Sequence, residues 1–148
     1  MARFSHHLTA LTPDDQAGLS VLLPSVRHPL GEATATLRGR VVRWDRAPLV
    51  GAVLSVIDGK TRRVVLGGFS GLGDQQRRPD SSGRFELPGV PPGTHQLLVQ
   101  PMASFGGIND GHHGLPTTDS IVFKPVTVEL PALEAGDAKD IGDVAVSE

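Results

Sequence analysis

The 148-residue chain contains no cysteine and no tyrosine, and aromatic residues make up only 4% of it. Without cysteine, neither a disulfide bond nor a thiolate metal site can form. Because aromatic side chains are so few, a core must be built mostly from Val, Leu and Ala. Hydrophobic residues make up 39% of the chain, which is enough for the core of one domain of this length.

An excess of one charge and long apolar runs are also missing. The formal net charge is −2, whereas nucleic-acid binding requires a basic field, so we expect no nucleic-acid partner. No apolar run approaches the roughly 20 residues of a membrane-spanning helix. The N-terminus has no apolar stretch typical of a signal peptide. The sequence therefore predicts no membrane partner and no leader peptide within this chain.

Glycine and proline, in contrast, are abundant, with 18 and 12 residues, and no collagen-like period accompanies them. Residues 84–87 and 95–99 alternate between apolar and polar side chains, which is typical of half-buried strands. Proline and glycine at 88–93 predict a rigid turn between these two strands, because proline fixes φ and glycine permits positive φ.

The same alternation recurs along the chain and predicts about seven short strands. Two long glycine-rich loops, 67–82 and 102–119, interrupt the series, and loops of that length are either functional or mobile. Short strands separated by turns favour a mainly β fold, an antiparallel β-sandwich. The predicted strands lie at 36–44, 52–56, 63–66, 84–87, 95–99, 121–130 and 143–146.

One short α-helix is predicted near the N-terminus, over residues 12–23. Thr12 is a good N-cap, Pro13 suits the first helical position, and the acidic pair at 14–15 complements the positive end of the helix dipole. The leucines of this segment form an apolar face, and a helix of about three turns is marginal without packing partners. We therefore expect the β-domain or another partner to cover that face.

Residues 37–146 resemble a carboxypeptidase regulatory-like domain. The similar segments are Gly39-Arg40-Val41, residues 47–54 (Ala-Pro-Leu-Val-Gly-Ala-Val-Leu), residues 80–87 (Asp-Ser-Ser-Gly-Arg-Phe-Glu-Leu) and residues 90–99 (Val-Pro-Pro-Gly-Thr-His-Gln-Leu-Leu-Val). His95 departs from the aromatic residue, often tyrosine, that usually follows the Pro-Gly turn in that family.

This resemblance implies a transthyretin-like (prealbumin-like) antiparallel β-sandwich. Domains of this family are non-catalytic appendages of secreted enzymes and surface proteins, and they serve folding support, docking or ligand contact. Eight residues of the matching segments would have structural roles: Gly39, Gly51, Ala52, Gly83, Phe85, Pro92, Gly93 and Leu97.

The N-terminal segment resembles a different family, the C-terminal end of a matrixin-type zinc metalloprotease domain. Met1 matches the methionine of the Met-turn, and residues 11–24 match the last helix, with Leu23 where tyrosine is common. This resemblance implies that residues 1–31 are a helical remnant plus linker and that 32–148 form the sandwich. The chain would then be the C-terminal part of a secreted metalloendopeptidase, with an adjoining protease domain that holds the zinc.

The chemistry of such a protease requires two histidines one helical turn apart, with a glutamate directly after the first. No histidine of this chain is followed by glutamate, so we predict that the chain is not an enzyme and has no catalytic residue and no cofactor. The candidate metal ligands are His112, His113 and Asp110. Because adjacent side chains of a strand point to opposite sides, a solvated loop is the favoured interpretation of the pair.

Three further residues are candidates for binding. Trp44 is either a packing residue on an open sheet face or a platform for a carbohydrate ring. Arg77 and Arg78 form a basic pair that either contacts a polyanion or is simply solvated. Two alternatives therefore remain open besides the accessory module: a free-standing adhesion or carbohydrate-binding domain with an extracellular protein or glycan as partner, and a hydrolase that uses His95 or the histidine pair.

Overall fold

A computed structural model of the chain describes residues 33–71, 82–101 and 122–148. In these residues seven strands form two sheets, one of three strands in the order β4-β1-β7 and one of four in the order β3-β2-β5-β6. The predicted mainly β sandwich of about seven strands is confirmed. The strands are β1 (Ala35–Val42), β2 (Val53–Asp58), β3 (Val64–Phe69), β4 (Arg84–Val90), β5 (His95–Gln100), β6 (Val126–Glu129) and β7 (Ala138–Ala145).

The hydrophobic core consists of the alternate side chains that each strand turns inward. On β1, for example, Leu37 and Val41 are completely buried while Arg38 between them is exposed. The core is aliphatic, as the shortage of aromatic residues predicts, and Phe85 and Phe123 are its aromatic members among the described residues. In the same part of the chain, no helix has the length and apolarity needed to cross a membrane.

The ring of Phe85 fits into the sheet because its partner has no side chain. Gly39 of β1 lies directly opposite Phe85 of β4, and a Cβ atom at Gly39 would lie only 2.6 Å from Phe85 Cζ. Atoms cannot approach that closely without displacement, so the glycine makes room for the largest inward side chain of β4. The two sequence segments that contain these residues thus meet across one strand pair.

Strand β4 extends into the predicted turn at 88–93 and ends at Val90. Pro88 pairs with Thr36, and the register shifts between Ala35 and Thr36, while Gly89 has a φ of 89°. Proline is compatible with an edge strand or a bulge, and β4 is an edge strand of its sheet. The actual turn is therefore confined to the residues between Val90 and His95.

Strand β7 departs most from the sequence prediction. It begins at Ala138, five residues before the predicted strand at 143–146, and pairs with β1 in parallel, so the three-stranded sheet is mixed rather than antiparallel. Other bounds differ as well. For example, β3 extends to Phe69, inside the predicted loop 67–82, and β6 covers only Val126–Glu129 of the predicted 121–130. Pairing with neighbouring strands sets these limits, and local sequence does not contain that information.

The predicted helix at 12–23, Met1 and the predicted remnant at 1–31 lie outside the described residues. The division into 1–31 and 32–148 therefore stays a prediction.

Candidate functional site

A tight turn at residues 43–47 follows β1. The amide of Arg43 donates to the carbonyl of Ala47 (2.8 Å), and the amide of Arg46 donates to the carbonyl of Arg43 (3.0 Å). The Asp45 carboxylate accepts a hydrogen bond from the amide of Ala47 (3.0 Å), an arrangement that stabilises turns with Asp near their start. Trp44 therefore lies in a turn with a fixed backbone.

Arg46 occupies a backbone conformation that favours glycine. Its φ is 69°, and Arg62, at 60°, is the other non-glycine residue with positive φ among the described residues. A left-handed conformation costs an ordinary residue roughly 1–2 kcal/mol. Since strained residues concentrate at functional sites, the turn that carries Arg46 is a candidate site.

Trp44 is an exposed aromatic residue beside a cation. Its relative exposure is 41%, and the guanidinium carbon of Arg43 lies 4.9 Å from the centroid of its ring. A cation at that distance over a tryptophan face is attracted by the ring. Arg43 also approaches the Asp45 carboxylate, with 3.5 Å between Nη2 and Oδ2. Arg43 therefore holds the indole in place while much of its surface faces solvent.

Three strands bring further charges to the same end of the sheet. Arg40 of β1 lies opposite Arg84 of β4 on one side and opposite Asp143 of β7 on the other. Arg40 forms a bidentate pair with Asp143, with Nε donating to Oδ1 (2.9 Å) and Nη2 to Oδ2 (2.7 Å). Both oxygens of Asp143 are thus used by one arginine.

The ionisation of Asp143 reflects this cluster. The hydrogen bond from Arg40 is the largest cause of the lowered pKa of Asp143. The charges of Arg40, Arg46 and Arg84 lower this pKa further. The same hydrogen bond raises the pKa of Arg40. Arg46 from the turn and Arg84 from β4 therefore act on the same carboxylate as Arg40.

We call this surface the arginine–tryptophan patch. Among the described residues, neither Arg46 nor Arg84 has a carboxylate within 4 Å, since the ion pairs there are Arg38–Glu86, Arg40–Asp143 and Arg43–Asp45. The patch is therefore positive, although the whole chain has a net charge of −2. It comprises Arg40, Arg43, Trp44, Arg46 and Arg84, together with the carboxylates of Asp45 and Asp143.

His95, the candidate of the hydrolase alternative, lies inside the sandwich. It is 2% exposed, and its Nε2 is 2.7 Å from the carbonyl oxygen of Pro91. Its Nδ1 is buried and has no hydrogen-bond partner among the described residues. The ring therefore connects the start of β5 to the preceding turn, in the position where the resembled family usually has an aromatic residue.

The other predicted site residues, Arg77, Arg78, Asp110, His112 and His113, lie outside the described residues. Within the described ranges, no group of three or more His, Asp or Glu side chains could hold a metal ion. The structural candidates Gly51, Ala52 and Leu97 are buried, whereas Pro92 and Gly93 are exposed in the turn before β5.

Of the patch, the sequence indicated only Trp44 as a binding residue. The alternation in β1 and β4 already placed Arg40 and Arg84 on outward faces. The sequence did not show that these strands pair or that β7 brings Asp143 beside them. The usable signal is the run Arg-Trp-Asp-Arg at 43–46, which places two arginines close to the tryptophan.

Comparison with known proteins finds no matching family model and no matching curated protein. Among solved structures, 5-hydroxyisourate hydrolase of Klebsiella pneumoniae is 14% identical, with a TM-score of 0.45, over 77% of this chain and 87% of the hydrolase. The Bacillus cereus major pilin subunit BcpA is 11% identical, with a TM-score of 0.42, over 78% of this chain and 30% of the pilin. An (S)-allantoin synthase is 13% identical, with a TM-score of 0.43, over 80% of this chain and 43% of the synthase.

The prediction that this chain is not an enzyme does not stand, because the structures similar to it include a hydrolase and a synthase. The missing zinc-protease motif concerns peptide cleavage of the matrixin type and gives no information about other reactions. At these identities and TM-scores the likenesses assign neither a family nor an activity. The β-sandwich itself fits a binding or accessory module.

Proposed function

We propose that the chain is a binding module and that the arginine–tryptophan patch contacts a glycan. The observation that carries this proposal is the exposed indole of Trp44 on a turn with a fixed backbone. Tryptophan combines a large apolar surface with few rotatable bonds, so it contributes contact area at little entropic cost. A ring already held by Arg43 is preorganised for a flat ligand such as a sugar ring.

The location of the patch supports the same function. It lies on a turn and on the outer face of the three-stranded sheet, away from the buried core that stabilises the fold. Residues of such surfaces can contact a ligand without any rearrangement of the scaffold. A glycan is one of the two extracellular partners, protein or glycan, considered from the sequence, and a secreted protein would meet such ligands on this surface.

A glycan array probed with the wild-type protein and with Trp44→Ala tests this proposal. We expect a defined group of glycans to bind the wild-type protein and to lose most of their signal with Trp44→Ala. Val64→Ala is the matched control, because Val64 is an apolar residue with 50% exposure on the other sheet. Absence of glycan binding at high protein concentration, or equal loss in both variants, would contradict the proposal.

We further propose that this module is the C-terminal part of a secreted matrixin-like zinc metalloprotease. The support is the resemblance of Met1 and residues 11–24 to the end of such a protease domain. The adjoining protease domain would be the partner of the sandwich and would hold the zinc. Translation of the genomic DNA upstream of the Met1 codon tests this parentage. A stop codon in frame before any His-Glu-x-x-His segment would refute it.

A further inference from the structure

We propose that the ligand of the arginine–tryptophan patch is an acidic glycan, a sugar chain that carries carboxylate or sulfate groups. This inference rests on the proposed function, which places a glycan on the patch, and it adds the charge of that glycan. Three observations support it. Arg46 and Arg84 have no carboxylate partner among the described residues, Arg40 and Arg84 lie opposite each other in a strand pair, and the backbone is strained at Arg46.

The first observation is the pairing of the arginines. Arg38 has Glu86 as its partner, and Arg40 uses both oxygens of Asp143. Arg46 and Arg84 have no carboxylate within 4 Å among the described residues. Their guanidinium groups present planar sets of donors that match the oxygens of carboxylate or sulfate.

The second observation is the register of β1 and β4. Arg40 and Arg84 are directly opposite each other in this strand pair, and like charges in that position destabilise a sheet. Asp143 offsets this repulsion only partly, because its two oxygens bind Arg40. An anionic group bound beside Arg84 would neutralise the remaining charge, so the free protein is arranged in advance for an acidic ligand.

The third observation is the conformation of the turn. With a φ of 69°, Arg46 stands where glycine would avoid strain. Its charge nevertheless acts on the same carboxylate as that of Arg84, because both charges lower the pKa of Asp143. Because Trp44 lies two residues before Arg46, the turn combines a flat apolar surface with a cation. An acidic sugar has the complementary features, a ring face and an anionic group.

The test compares two variants with the same substitution. Arg46→Gly removes one charge from the patch and replaces a strained residue by glycine, so it leaves the fold intact. Arg62→Gly is the matched control: it removes the same charge at a similar φ of 60°, in the loop beyond the C-terminal end of β2, where Arg62 hydrogen bonds to Gln96.

Calorimetry would measure the affinities of the wild-type protein, both arginine variants and Trp44→Ala for three oligosaccharides of equal length. These are a sulfated heparin octasaccharide, a galacturonic acid octamer with carboxylates only, and neutral maltooctaose. We expect at least one acidic probe to bind in preference to the neutral one, and to bind more weakly as salt rises. Arg46→Gly should weaken that binding roughly two- to fivefold, as for one exposed charge pair. Arg62→Gly should leave it unchanged.

The outcomes separate the two proposals. Neutral maltooctaose binding as tightly as the acidic probes, with a loss only in Trp44→Ala, would overturn the acidic ligand and keep the glycan-binding function. Equal weakening by Arg46→Gly and Arg62→Gly would show general charge attraction and would also overturn the inference. No binding of any probe would contradict both proposals, whereas preference for the sulfated or the carboxylate probe identifies the acidic group.

Discussion

The two faces of the three-stranded sheet differ completely, although the same strands supply both. On β4, Phe85 and Leu87 point inward and are buried, while Arg84 and Glu86 point outward and are exposed. Burial of a large apolar side chain stabilises a protein by roughly 1.5–3 kcal/mol, and an exposed ion pair contributes roughly 0–1 kcal/mol. The inner face therefore sets the stability of the sandwich, and the outer face can hold charges arranged for a ligand.

The largest expected effect belongs to the inner face. Phe85→Ala should lower the free energy of unfolding by about 3–5 kcal/mol, because Phe85 is 4% exposed and its ring lies over Gly39. Glu86→Ala, one residue further, should cost no more than about 1 kcal/mol. Denaturant titration measures both values. A cost below about 1 kcal/mol for Phe85→Ala would contradict the assignment of the faces.

Two glycines with the same φ can separate backbone strain from contact. Gly83 and Gly142 both have φ of 72°, but a Cβ at Gly83 would lie 2.6 Å from the carbonyl oxygen of Val41, and one at Gly142 would meet nothing within 4 Å. Gly142→Ala should cost about 1–2 kcal/mol from strain alone, and Gly83→Ala should cost clearly more. Equal losses in thermal or denaturant unfolding would show that Val41 and the start of β4 are not in close contact.

Replacement of the strained Arg46 should stabilise the protein, whereas the two glycine substitutions should destabilise it. Arg46→Gly removes an unfavourable conformation at the cost of a more flexible unfolded chain, so we expect a net gain in unfolding free energy of about 0.5–1 kcal/mol. Arg62→Gly should give a similar or smaller gain, because it also removes a hydrogen bond to Gln96. A marked loss of stability in Arg46→Gly would mean that its side chain contributes to the fold itself.

A double-mutant cycle on the outer face should show a small coupling. Arg38 Nε donates to Glu86 Oε2 at 3.0 Å, and the two side chains are 49% and 56% exposed. We expect a coupling energy of about 0.2–1 kcal/mol between Arg38→Ala and Glu86→Ala, which falls further as salt rises. Coupling well above this range would indicate that the outer face also determines stability.

Among the described residues, two carboxylates should contribute to the pH dependence of stability. Hydrogen bonds from the amides of Thr61 and Lys60 lower the pKa of Asp58, and Arg40 lowers that of Asp143. A lowered folded pKa stabilises the protein above the ordinary carboxyl pKa, and this contribution disappears as pH falls through the folded value. Unfolding measured between neutral and acidic pH should therefore show less acid destabilisation in Asp143→Asn. An unchanged acid profile would contradict the role of the Arg40–Asp143 pair.

Several features of the fold could be predicted from the sequence because they depend on local alternation. The inward positions of β1, β2 and β5, such as Leu37, Leu54 and Leu97, follow from a period of two residues between polar neighbours. The connection between β2 and β3 contains Asp58-Gly59, a dipeptide typical of hairpins, although the loop to Arg63 is longer than a two-residue turn. The predicted start of the turn at Pro88 is wrong, because Pro88 lies within β4. A strand at the edge of its sheet tolerates proline, and local sequence does not show which strand lies at the edge.

The local amino-acid pattern specifies which segments can form strands and which side chains of each strand are apolar. Only the folded chain shows which strands pair, and therefore which side chains meet. Arg40 and Asp143 are 103 residues apart and come together because β7 returns in parallel beside β1. Pairing of this kind depends on contacts between distant segments, so no local pattern could reveal the cluster of charges beside Trp44.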